Sequence, residues 1–170
     1  MQTRNQITLI VTGEPVAKGR AQASVVRRRD GSFVTGSNGR AVITHRTPAK
    51  TRSWENDARQ LARIEMGTRK PFSGPMQVEV VAVFVPSRSW PAWKQQAALD
   101  GMVCHTGKPD ADNLAKAAKD ALNGVVWVDD AQVIDLRTRK VYGERAEVRI
   151  QVLEILAAPS QVTRKADLAA

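Results

Sequence analysis

The sequence predicts an α/β (α+β) fold: a single two-layer domain over residues 1–155, built on a mixed β-sheet with helices mainly on one face. Three observations lead there. Apolar residues alternate with period 2 near the start, middle and end of the chain, segments of helical period fall between them, and 170 residues are enough for one core and short for two.

The elements follow in order. Ile7, Leu9 and Val11 alternate with Gln6, Thr8 and Thr12, a first strand closed by Gly13. No period holds over residues 14–49, where Lys18-Gly19-Arg20, the run Arg27 to Arg29 and two glycine-containing turns suggest a long basic loop with a short hairpin around Val25 to Val34. Trp54, Ala58, Leu61 and Ala62 recur at helical spacing, so a helix is expected from Thr51 to Met66, stopped by Gly67. Met76 to Val85 is apolar on both sides and belongs in the middle of the sheet. After Pro86, a short helix ending near Leu99 is expected to bury Trp90 and Trp93. Leu114, Ala117, Ala118, Ala121 and Leu122 line one face of the next helix, with Asp112 as its N-cap and Gly124 as its stop. Two alternating strands, Ile134 to Thr138 and Val148 to Val152, read as a hairpin turning at Tyr142-Gly143-Glu144. Residues 156–170 are Ala-rich and aperiodic, and are expected to form a flexible tail.

Charge is distributed unevenly. Residues 1–53 hold ten Lys or Arg against two Asp or Glu, whereas the remainder holds 16 against 15, within a formal net charge of +9. Such asymmetry favours a polyanion partner gripped by the first third, chiefly through Lys18, Arg20, Arg27, Arg28 and Arg29, with a nearly balanced segment left for chemistry. The one cysteine, Cys104, rules out an intramolecular disulfide and a cysteine-built zinc site, and is expected to be at least half-buried. No apolar run approaches the length of a membrane span and the N-terminus lacks a signal-peptide pattern, so a cytoplasmic protein with no membrane partner is expected.

In a basic chain, four carboxylates gather at the two ends of one helix: Asp110 and Asp112 before it, Asp129 and Asp130 after it. Hard divalent cations take oxygen ligands, and carboxylates converging from separate segments would hold magnesium, with manganese the alternative cation. Neighbours in extended backbone point to opposite sides, so one of Asp129 and Asp130 joins such a site. Lys116 follows Asp112 by one turn, on the same face, where an ammonium can hold a phosphate or stabilise charge developing on it. Asp-x-Asp alone is a weak signal, since an N-capping aspartate explains it too. There is no phosphate-binding glycine loop and no Ser-His-Asp arrangement, and of the two histidines only His105 is near the acids in sequence.

The run Asp110-Ala-Asp112-Asn113-Leu114-Ala-Lys116-Ala-Ala-Lys-Asp120-Ala-Leu122, followed by Trp127-Val-Asp129-Asp130-Ala131-Gln132-Val133, resembles the core of the RusA family of Holliday junction resolvases of bacteria and phages. The resemblance is close from Lys108 to about Lys140. It implies a homodimeric, magnesium-dependent endonuclease that nicks two opposed strands of a DNA four-way junction. It also implies metal-binding, catalytic acids at Asp110, Asp112 and Asp130, and a catalytic lysine at Lys116. Two alternatives remain open at this level: a non-catalytic junction- or duplex-binding protein, and a less selective branched-DNA nuclease.

Overall fold

Ile7, Leu9 and Val11 lie in register with Val152, Ile150 and Val148, and these with Val78, Val80 and Ala82, so three strands present one continuous apolar face. The computed structural model describes residues 3–155; the expected tail at 156–170 lies outside the described residues. The strands are β1 (Thr3–Thr12), β2 (Gln22–Val25), β3 (Ile43–Arg46), β4 (Met76–Phe84), β5 (Val133–Tyr142) and β6 (Glu147–Ile155). The helices are α1 (Ala49–Met66), α2 (Ala92–Leu99) and α3 (Ala111–Leu122). A four-stranded mixed sheet runs in the order β1-β6-β4-β5, antiparallel except for the parallel pair β4 and β5. Helices α1 and α3 pack against each other and on the apolar face, where Trp54, Ala58, Ala62, Ala117, Ala118, Ala121 and Trp127 complete the core. The expected two-layer α+β architecture is what the chain adopts.

The parallel neighbours β4 and β5 cannot be joined by a tight turn, and the chain between them supplies α2 and α3 as the crossover. That crossover positions the acids: Asp110 and Asp112 stand where α3 begins, and Asp130 stands just before β5.

Several expectations are corrected. The last two strands do not form a hairpin. Strand β4 needs a neighbour on each edge, and β5 takes one while β6 takes the other. The chain crosses the end of β4 at Gly143, whose N–H donates to the Phe84 carbonyl at 2.9 Å; a Cβ there would sit 2.6 Å from Val83 Cγ1. The basic loop is more ordered than its composition suggests. Strands β2 and β3 pair antiparallel, and beyond them the chain makes three short extended passes. Half-buried Val26, Val34 and Val42 lie one on each pass and close a ring of backbone bonds, Val26 N to Val42 O, Val34 N to Val26 O and Val42 N to Val34 O, at 2.8–2.9 Å. The chain between β2 and β3 is therefore a β-arm, with most of its side chains in solvent. Helix α1 starts at Ala49, two residues early, because Pro48 occupies the N-cap position and its carbonyl accepts from Arg52 N. Trp93 is 71% exposed, and only Trp90 is partly covered, edge-on against Tyr142. Helix α2 is too short and polar to bury both indoles, and Cys104 is also exposed.

Candidate active site

Helix α3 buries Leu114, Ala115, Ala117, Ala118, Ala121 and Leu122, which fixes its rotation and turns Asp112, Lys116, Lys119 and Asp120 outward. These four, with Ala115, Asp130 and Leu136, line a cleft of about 340 Å³. Asp112 and Lys116, one turn apart, share this cleft with Asp130. Lys119 and Asp120 join them at i+7 and i+8 from Asp112, a signal legible in the helical period that the sequence reading passed over.

The N-cap of α3 is Asp110 rather than Asp112, which stands within the first turn. Asp110 caps with its backbone, its carbonyl accepting from Leu114 N at 3.2 Å, while its side chain makes no capping bond. Its exposed carboxylate is therefore uncommitted to the helix, and it lies beside the cleft rather than in its lining. Both acids gain from the positive end of the helix dipole. The loop that delivers Asp110 is tied to β5 by Lys140, whose Nζ donates to the carbonyls of Gly107 (2.7 Å) and Pro109 (3.1 Å). In the same loop His105 stacks on Phe84 with centroids 3.9 Å apart. Burial, and secondarily the charge of Lys140, push His105 below the usual imidazole range.

The choice between Asp129 and Asp130 is decided by a capping box. Asp129 Oδ1 accepts from Ala131 N at 2.7 Å, and Gln132 Oε1 accepts from Asp129 N at 2.8 Å, which closes a single 3-10 turn over Asp130–Gln132. Gln132 also donates to the carbonyls of Phe72 (3.1 Å) and Gly74 (2.8 Å), anchoring the turn to the chain before β4. Asp129 is consumed by this turn, and Asp130 faces the cleft. The buried indole of Trp127 donates to Asp130 Oδ1 at 2.9 Å, and Lys119 Nζ stands 3.7 Å from Oδ2.

Of the basic residues singled out, Lys18 lies away from the arm. It bridges Glu55 of α1 (2.7 Å) and Asp120 of α3 (2.6 Å), and its backbone N–H donates to Asn113 O at 2.8 Å. Burial lowers its affinity for a proton, but hydrogen bonds and charges from Asp120 and Glu55 outweigh this and hold its pKa above the usual lysine value. Lys18 therefore acts as a strut between the two helices, its charge met by two carboxylates. Arg20 is exposed where the chain leaves that strut, and Arg28 and Arg29 are exposed on the arm. Arg27 is held locally, donating to Gly31 O at 3.1 Å with its guanidinium 4.4 Å above the Phe33 ring.

Among the described residues no three His, Cys, Asp or Glu side chains gather into a closed metal cage. The donor set is nonetheless all carboxylate oxygen: Asp112 and Asp130 line one cleft and the uncommitted Asp110 flanks it. That suits magnesium, which binds through one or two carboxylates and completes its shell with water and substrate phosphate. A second cavity, of about 570 Å³, opens beside Lys108 and Pro109; Glu14 is the only acid in its lining.

Comparison with known proteins bears on this cleft. The chain is 33% identical over 156 residues to uncharacterized protein YqaN of Bacillus subtilis (strain 168), a match covering 89% of this chain and 98% of that protein. Residues 12–153 match the family model of endodeoxyribonuclease RusA. That span takes in β1's last residue through most of β6, the β-arm, and every acid of the cleft, so the chain belongs to the RusA endodeoxyribonuclease family.

Proposed function

We propose that this protein is a magnesium-dependent endonuclease that resolves DNA four-way junctions by paired, symmetrical nicks, in recombination and repair in the cytoplasm. The observation that carries the reading is the cleft on α3, where three carboxylates and two lysines meet in a chain of this nuclease family. Asp110, Asp112 and Asp130 would hold the cation; Lewis-acid polarisation of the phosphodiester and acidification of the attacking water are the chemistry such a cation supplies. Lys116, one turn from Asp112 on the cleft wall, holds a non-bridging phosphate oxygen and stabilises charge that develops on it. Trp127 keeps Asp130 aimed inward, and Lys140 holds the loop behind Asp110. The exposed arginines of the β-arm run along the phosphate backbone, a contact independent of base sequence. Two opposed cuts are made most simply by two copies of one site related by a two-fold axis, so the active form is a homodimer.

The test compares a synthetic four-way junction with linear duplex of the same sequence at equal salt and magnesium. Paired nicks confined to the junction are expected, and equal cutting of the duplex would replace the reading with a less selective nuclease. Replacing Asp112→Asn is expected to abolish cleavage while keeping or tightening junction binding, because it removes a negative charge facing phosphate. A wild-type protein that binds the junction and never cuts it would leave only the non-catalytic alternative.

A further inference from the structure

Resting on the reading of the cleft as a metal-dependent nuclease centre, we infer that Lys119 is a gate: in the free protein its ammonium stands in for the cation at Asp130, and substrate phosphate draws it away. Asp130 has two oxygens, and the buried indole N–H of Trp127 fixes the direction of Oδ1. The oxygen left facing the cleft is Oδ2, and the ammonium of Lys119 stands 3.7 Å from it. At that separation the two form an ion pair without a well-formed hydrogen bond, so the lysine neutralises Asp130 without being locked to it. A divalent cation ligated by Oδ2 would sit about 2 Å from that oxygen. Both cations cannot share the position without strong repulsion, because the pair is half-buried and poorly screened by solvent.

Lys119 has one direction of release. The neighbouring carboxylate, Asp120, is already paired with Lys18 at 2.6 Å, and Asp112 lies two helical turns away and is itself one of the carboxylates that would hold the cation, so a lysine leaving Asp130 finds no free acid next to it on the helix. A phosphate entering the cleft next to Lys116 is the anion that would accept it. The same movement then frees Asp130 for the metal and adds a phosphate contact for the DNA. Metal and DNA therefore favour each other's binding, and linkage requires the coupling to be reciprocal.

The experiment measures Mn²⁺ binding directly, by the loss of the free-ion resonance signal, for wild type, Lys119→Met and Lys119→Arg without DNA. Removing the ammonium is expected to tighten Mn²⁺ binding by about tenfold, since one like charge leaves the site. The arginine variant is expected to stay near wild type, which separates charge from packing. In a second arm, junction binding in EDTA is followed against salt, where cleavage cannot interfere. The slope of log K against log salt should fall by about one for Lys119→Met, the loss of one phosphate contact. Unchanged Mn²⁺ affinity in Lys119→Met overturns the gate, and an unchanged slope overturns its transfer to phosphate. Failure of every variant to bind Mn²⁺, with or without junction, overturns the metal-dependent reading itself and the gate with it.

Discussion

Trp127 and Gln132 aim the carboxylate of Asp130 into the cleft without lining it themselves. Trp127→Phe preserves most of the buried ring and deletes only the donor to Asp130 Oδ1. Cleavage is expected to slow by roughly tenfold with junction affinity unchanged, as measured by single-turnover kinetics, because an untethered carboxylate spends most of its time misaligned. Gln132→Ala removes four hydrogen bonds at once and leaves two backbone carbonyls short of a donor. A loss of about 2–4 kcal/mol in urea denaturation is expected. His105 adds a pH dependence. Its pKa is depressed in the fold, chiefly by burial, so the unfolded chain binds the proton more readily. Stability should therefore be full above the unfolded imidazole value of about 6.5 and fall as pH drops below it. His105→Phe, which keeps the stack on Phe84, should flatten that part of the melting-temperature profile. At this scale the pairing of Asp112 with Lys116 was legible from helical spacing, whereas Asp110 and Asp130 were singled out by the resemblance of the surrounding motif. The aim of Asp130 was not, since it depends on a turn whose partners, Phe72 and Gly74, lie some 60 residues away in sequence.

The β-arm and the last two strands show what periodicity conveys about elements and what it omits. Alternation in β6 told correctly which side chains face the core, but in the edge strand β5 Ile134 and Leu136 are 62% and 43% exposed; the pairing partner, too, is a property of the whole sheet, and β4 lay between the two strands. In the arm the opposite occurred. No period survives there because three short passes and two turns interrupt it, although three valines at intervals of eight, Val26, Val34 and Val42, were visible in the sequence. The arm contributes nothing to the main core. Arg28→Ala with Arg29→Ala is accordingly expected to leave the melting temperature within about 1 °C of wild type, as surface changes do. The same pair should lower the salt slope of junction binding by about two, measured by fluorescence anisotropy. A large drop in melting temperature would show that the arm is a structural element.

For the whole molecule, the uneven charge seen in the sequence becomes a division of labour. The first third supplies β1, the exposed arm and the Lys18 strut, whereas the near-neutral remainder supplies the other three strands of the main sheet and the cleft. Sedimentation at moderate salt is expected to give a homodimer, and a strictly monomeric, fully active protein would contradict the two-fold arrangement proposed for paired nicks.

Strand β6 is the shared neighbour of β1 and β4, which do not otherwise pair. Strand β1 thus joins the sheet only through β6, a partner far along the chain, whereas β4 and β5 can pair without either of them. Docking of β1 therefore closes a long loop and is expected to come late in folding, after α3 has found its place on β4 and β5.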